Sequence, residues 1–124
     1  RVSAFSKNSD WNILNKNISS KFIGYDILTT NSKIKKYRSV ETNKEKLKEI
    51  VFHETPFYPQ GGGQAGDIGK IISKSGISID VINTKKENEE IIHVVADCEI
   101  EENFEYKLTV DKINRKKSEG ETFL

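Results

Sequence analysis

Cysteine is nearly missing from this 124-residue chain, and methionine is missing altogether. The single Cys98 rules out an internal disulfide, and with only two histidines, His53 and His93, one thiol cannot complete a Cys/His structural zinc site. On one strand, His93 and Cys98 would also point to opposite faces. Long apolar runs are absent: the longest hold two to four residues, against the ~20 of a membrane-crossing helix, and no charged-then-apolar leader opens the chain. A soluble, cytoplasmic protein without a membrane partner is expected. Net charge is small as well, with twenty Lys and Arg against nineteen Asp and Glu. What is present, 35% hydrophobic residues and eleven aromatics, fills one modest core. The length suits one domain of ~100–150 residues and leaves no room for a second, catalytic one. With no methionine and Arg1 at its head, the chain reads as a piece of a longer protein.

The near-neutral total conceals two opposed regions. Residues 1–50 carry eleven basic and five acidic side chains, whereas residues 51–124 carry nine basic and fourteen acidic. The densest basic run is Lys33, Lys35, Lys36 and Arg38; the densest acidic stretch, Glu87 to Glu105, has eight acids and no Lys or Arg. A uniformly wrapped nucleic acid does not suit this pattern, and no DNA partner is expected. Lys33 to Arg38 could meet phosphate, but edge strands often carry lysine against aggregation, so a solvated strand face is the preferred reading.

Alternation with period 2 is the best structural signal. Ile77, Ile79 and Val81 fall on one side of a strand and Ser78, Asp80 and Ile82 on the other. Similar segments run over 21–25, 32–40, 48–54, 68–74, 90–97 and 106–110, giving about seven strands. Turn material separates them at Asn31-Ser32, Lys74-Ser75-Gly76 and Glu87-Asn88, and no 10–15-residue amphipathic helix intervenes. The expected fold is all-β, a small antiparallel β-barrel with short helical segments at its edges. Residues 41–48 are expected to form a helical turn, and Asp111 to Glu121 a polar, basic helix start.

The residues from Thr55 to Gly69, T-P-F-Y-P-Q-G-G-G-Q-A-G-D-I-G, place five of the eight glycines within nine positions, after two prolines and two aromatics. Glycine admits positive φ and lets backbone N–H groups approach a ligand with no Cβ in the way, as anion-binding nests and tight turns require. The loop could hold a phosphate, a ribose or a tRNA terminus. Its structural alternative is a wide turn with Phe57 and Tyr58 in the core and Asp67 bonding the turn backbone. No Gly-Lys-Ser/Thr closes it and no G-x-G-x-x-G spacing occurs, which excludes a Walker A loop and a dinucleotide fingerprint.

That string closely resembles the T-P-F-Y-x-E-x-G-G-Q-x-G-D-x-G signature of alanyl-tRNA synthetases and of the related freestanding alanyl-tRNA editing proteins. Asp10-Trp11, Phe22-x-Gly24-Tyr25-Asp26, Lys33 to Val40, and Val110-Asp111 with Arg115 agree in order and spacing, so the resemblance spans residues 10–115. It implies a β-barrel similar to the second domain of translation elongation factors, between tRNA-recognition helices and a zinc-dependent editing domain. Residues 1–20 would then be a lead-in from a preceding domain, 21–111 the barrel, and 112–124 the start of the connection to the editing domain or an unrelated tail.

The resemblance also implies a role. In the family the glycine-rich loop borders the pocket where mischarged seryl- or glycyl-tRNA is hydrolysed, and Gly61, Gly62, Gly63, Gln64 and Asp67 match those loop positions, in support rather than in chemistry. The family's editing zinc is held by an H-x-x-x-H and a C-x-x-x-H pair, neither of which occurs in this sequence, and the ATP-clamping class II motifs are absent too. No catalytic residue, metal or cofactor is therefore expected in this chain; ATP and zinc are implied for a full-length parent that charges tRNA(Ala) with alanine. Gln60 departs from the usual Glu, and Lys116 to Leu124 depart from the family's Asn-His-Thr-Ala-Thr-His continuation. Candidate tRNA phosphate contacts are Lys35, Lys36, Arg38, Lys112, Arg115 and Lys116, with a solvated helix as the alternative for the last three. The expected partners are tRNA(Ala) and the remaining domains of the parent.

Single residues read more plainly. His93 between Ile91 and Val95 is expected to be a packed histidine, Cys98 beside Asp97 and Glu99 an inert thiol, His53 a strand residue, and Trp11 and Tyr37 core aromatics rather than base-stacking platforms. The alternatives to the synthetase module are the leading domain of a freestanding editing hydrolase and, less favoured, a peptide-release factor sharing the Gly62-Gly63-Gln64 tripeptide.

Overall fold

The structure, a computed structural model, describes residues 7–8, 11–15, 17–61, 63, 65–102 and 104–111. Eleven strands account for its regular structure: β1 (Lys7–Asn8), β2 (Asn12–Ile13), β3 (Lys21–Phe22), β4 (Thr29–Ser32), β5 (Ile34–Glu41), β6 (Lys46–Phe52), β7 (Glu54–Thr55), β8 (Gly69–Ile72), β9 (Ser78–Glu87), β10 (Glu90–Ala96) and β11 (Tyr106–Val110). The main sheet runs β1-β5-β6-β10-β9-β8-β11-β4, with β2 also on β5, and every pairing in it is antiparallel. β3 and β7 form a separate parallel pair.

The all-β antiparallel class is as expected, but the sheet is not closed into a barrel. Its path ends at β1 and β4, which do not pair. β4 has only four residues and hands the chain through Lys33 directly into β5. At this corner the chain leaving β6 bonds back to the β4–β5 connection: the His53 N–H donates to the Lys33 carbonyl, and the Glu54 N–H to Ser32 Oγ, both at 2.9 Å.

The expected helical segments are replaced or lie elsewhere. Residues 41–48 form the β5–β6 hairpin, because Thr42 Oγ1 accepts from the amides of Lys44 and Glu45 while the Thr42 N–H donates to the Glu45 carbonyl at 2.8 Å. These bonds close a turn before a helical one can propagate. Among the described residues there is no helix, hence none long and apolar enough to cross a membrane; the expected helix start beyond Asp111 lies outside the described residues. β9 and β10 meet at a two-residue turn, with Asn88 and Glu89 both at positive φ (50° and 66°), the twist-matched geometry of tight hairpins.

Alternation along the strands builds the core. Ile79 and Val81 point inward while Ser78, Asp80 and Ile82 are exposed; Ile77, expected on the same side as Ile79 and Val81, precedes the strand and is exposed. Ile34, Ile50, Phe52, Phe57, Ile71, Val95, Tyr106, Leu108 and Val110 complete the cluster. Each large side chain buried here contributes about 1.5–3 kcal/mol.

Candidate functional site

The glycine-rich segment hangs between β7 and β8 and is clasped at its neck. The Asp67 N–H donates to the Tyr58 carbonyl, and the Tyr58 N–H to Asp67 Oδ2, both at 2.9 Å. A second clasp ties the loop to β9: the Gln60 N–H donates to the Thr84 carbonyl, Thr84 Oγ1 to the Asp67 carbonyl, and Asn83 Nδ2 to Gln60 Oε1, all at 2.8 Å. Gln60 thus acts as a neutral hydrogen-bond acceptor at the position where the resemblance leads one to expect Glu. Gly66 is a packing requirement, since a Cβ there would overlap the Thr84 carbonyl oxygen.

Below the neck, a buried polar relay fixes the loop's first residues. His93 is fully buried, with Nδ1 2.9 Å from the Ile50 carbonyl oxygen and Nε2 2.7 Å from Thr55 Oγ1. A carbonyl can only accept, so Nδ1 carries the proton and Nε2 accepts from the Thr55 hydroxyl. Thr55 Oγ1 in turn accepts the Phe57 N–H at 3.1 Å. Burial pushes the His93 pKa down to about 4. The ring is therefore neutral at pH 7, and it stands edge-on to Phe52 and Phe57, with centroids 5.1 and 5.2 Å away. His93 is a packed histidine, as its neighbours in sequence suggested, and its partner Thr55 explains why the loop opens as it does.

The Phe22-Ile23-Gly24-Tyr25 segment supports the other side. The Ile23 N–H donates to the Thr55 carbonyl at 2.8 Å, and the Phe22 ring meets Tyr25 and Tyr58 edge-on at 4.9 and 5.4 Å. A Cβ on Gly24 would strike the Pro56 carbonyl oxygen. Two motifs thirty residues apart in the sequence are thus one structural unit. Phe57 is core, but Tyr58, expected with it, is 57% exposed.

The tip has a different character. Gly61, Gly63 and Ala65 are exposed, and a Cβ at Gly61 or Gly63 would meet nothing within 4 Å among the described residues. Gly63 has a conformational reason to be glycine, with φ at 84°; Gly61 has no internal contact that demands one. Gly62 and Gln64 lie outside the described residues, as do Lys112, Arg115 and Lys116.

The remaining candidate cations are occupied. A bulge at the start of β5 inserts Lys35 between Ile34 and Lys36 in the register. Lys35 and Lys36 consequently share one carboxylate, each Nζ lying 2.7 Å from Glu90. Arg38 binds Glu49 at 2.7 Å, and Lys85 reaches the same buried carboxylate at 2.9 Å. Trp11 is half-buried rather than core, roofing this network with Lys36 Nζ and the Arg38 guanidinium 4.5 and 4.3 Å from its ring. Tyr37, half-buried against the core, donates to Glu102, and that bond raises its pKa to about 12. His53 Nδ1 binds the Ser19 carbonyl at 2.8 Å. The Cys98 thiol, half-buried beside the core, has its pKa raised by that burial, the direction that keeps a thiol unreactive.

Comparison with known proteins identifies the family. The model for class II tRNA synthetases (A) matches residues 3–114, which includes every strand and the whole glycine-rich loop. The chain belongs to the class II (A) tRNA synthetases. Among similar proteins, the alanine–tRNA ligase of Christiangramia forsetii is 43% identical over 107 residues, covering 86% of this chain and 12% of that protein. The ligase of Cytophaga hutchinsonii is 42% identical over 94 residues (76% of this chain, 11% of the relative), and that of Parabacteroides distasonis 37% over 114 (90% and 13%). The chain thus spans about one-eighth of the length of these ligases.

The described residues do not suit the metal or nucleotide that synthetase chemistry implies. No group of three or more His, Cys, Asp or Glu side chains that could hold a metal occurs among the described residues. Arg38, the one arginine among them, is held by Glu49 and is not free to clamp a triphosphate.

Proposed function

We propose that this chain is the β-domain of an alanyl-tRNA synthetase, without catalytic residues of its own, which positions tRNA(Ala) and shapes one wall of an editing pocket through the tip of the 56–68 loop. The parent enzyme would join alanine to tRNA(Ala) with ATP and hydrolyse mischarged seryl- or glycyl-tRNA, the ATP and zinc residing in its other domains, in the cytoplasm. On this reading, residues 21–111 are the β-domain, 1–20 lead in from the preceding domain, and 112–124 lead toward the editing domain. The observation that carries it is the contrast within the loop. Gly66 in the loop, and Gly24 packed against the loop at Pro56, are forced by close contacts, whereas a Cβ at Gly61 on the tip would meet nothing within 4 Å among the described residues. A glycine that its own fold does not need suits close approach by an outside group.

The test is Gly61→Val in the full synthetase. Nothing among the described residues lies within 4 Å of a Cβ at this position, so alanine activation and melting temperature should stay unchanged while deacylation of seryl-tRNA(Ala) falls about tenfold or more, in line with the sensitivity of reacting geometry to ~1 Å displacements. Unchanged deacylation, or equal losses in both activities, would refute a local role in editing.

A further inference from the structure

Of the basic run that stands out in the sequence, Lys35, Lys36 and Arg38 are paired with carboxylates in the fold, while Lys33 remains available together with lysines from elsewhere in the chain. Of the lysines whose side chains are described, Lys21, Lys35, Lys36, Lys46, Lys48, Lys70, Lys85 and Lys86 each lie within 4.0 Å of a carboxylate. Lys33, Lys74 and Lys107 make no ion pair among the described residues, and all three are exposed. They come from separate parts of the sequence, yet line one open groove of about 420 Å³. Lys44, also unpaired, stands apart on the β5–β6 turn.

Topology makes this cluster. Lys107 sits on β11 directly opposite Asn31 of β4 and Ile72 of β8, so the three share the sheet face that points away from the core, while their neighbours Tyr106, Leu108, Ser32 and Ile71 point into it. Lys33 occupies the β4–β5 corner, and Lys74 follows β8. The groove also holds a large apolar surface: Phe104 is 48% exposed, with Lys74 Nζ 5.9 Å from its ring centre. One carboxylate, Glu105, lines the groove and leaves it with a net charge of +2.

We propose that this groove binds a single strand of RNA, with Lys33, Lys74 and Lys107 meeting successive phosphates and an unpaired base stacking on Phe104. Free lysines attract any polyanion, but an exposed aromatic ring set among them is the recurrent platform for an unstacked base and offers nothing comparable to a duplex, whose bases are covered. Asn31 supplies a donor and an acceptor beside Lys107 for a sugar or base edge. The contact surface is thus on the outer face of β4, β11 and β8, not on the Lys35–Arg38 strand. The choice of RNA rests on the proposed function; the groove itself rests on geometry and charge.

The experiment is fluorescence anisotropy of the 124-residue chain with a labelled 12-nucleotide single-stranded RNA and a blunt RNA duplex, titrated from 50 to 200 mM salt. Three phosphate contacts should give a log–log salt slope near −2 and a loss of about twentyfold across that range. K33A/K74A/K107A should remove most of that slope, whereas K21A/K46A/K86A, which deletes the same charge from ion-paired lysines, should keep it. Phe104→Ala, at an exposed position, should weaken the single strand about fivefold or more and the duplex by less than twofold. Equal weakening by the two triple variants, an unchanged affinity in Phe104→Ala, or a labelled oligoglutamate peptide binding as tightly as the RNA would each overturn the proposal. Any of these with the Gly61→Val loss of deacylation intact removes the groove alone; failure of both experiments removes the proposed function as well.

Discussion

His93 should make the stability of this domain depend on pH in a calculable way. Its pKa is near 6.5 when unfolded and pushed down to about 4 by burial when folded. Between these values the unfolded chain binds a proton that the folded chain refuses, so stability rises with pH there. The contribution is complete above about pH 6.5 and is lost as pH falls through the window toward about 4. At pH 5 the loss relative to neutral pH is about 2 kcal/mol, from the 1.36 kcal/mol that one pKa unit represents. That is a large part of the ~5–15 kcal/mol typical of a domain and should move the urea midpoint by about 1 M. Protonation also turns Nε2 from an acceptor into a donor, setting it against the Thr55 hydroxyl proton that it accepts at neutral pH. The assay is urea unfolding of the chain at pH 7, 6 and 5 alongside His93→Gln. The variant keeps a donor for the Ile50 carbonyl and has no group titrating in the window, so the difference between the proteins isolates His93 from the carboxylates. Equal pH dependence in both, or an imidazole titration midpoint near 6.5 for His93 by NMR in the folded state, would refute the reasoning.

Gly66→Ala should destabilise the chain by about 3 kcal/mol in urea unfolding, because the new methyl must displace the Thr84 backbone that also binds Gln60. Gly61→Val should leave the urea midpoint within experimental scatter; a shift as large as that of Gly66→Ala would remove the distinction between neck and tip. Glu49→Ala, which leaves Arg38 and Lys85 without their shared carboxylate, should cost about 2 kcal/mol, and a loss under about 0.5 kcal/mol would show the buried pair to be neutral in effect.

The strands were legible where one face is buried and the other wet. β9 shows it best, its alternation surviving intact from Ser78 to Ile82, and β11 coincides with the expected 106–110. The 41–48 segment misled because its Glu and Lys residues are good helix formers, whereas a single threonine hydroxyl and the pairing of Val40 with Leu47 decide it. The glycine-rich loop was legible from composition; its motif resembles the family's signature, and the family model matching residues 3–114 shows membership. Its support was not legible: Thr55–His93 and Gly24–Pro56 join positions more than thirty residues apart, and no local pattern announces them.

Charge divides along the same line. Strand periodicity and the glycine-rich loop are legible in the chain because they depend on neighbours within a few residues, and the motif in that loop carries the family resemblance. The run Lys33, Lys35, Lys36 and Arg38 drew attention because its members are close in sequence. The fold sorts that run: Glu90 and Glu49 neutralise Lys35, Lys36 and Arg38, while Lys33, with no ion pair among the described residues, converges with Lys74 and Lys107 around Phe104. A lysine's availability is set by which carboxylates lie within a few ångströms, and in an antiparallel sheet those neighbours are chosen by strand order and register, not by position along the chain.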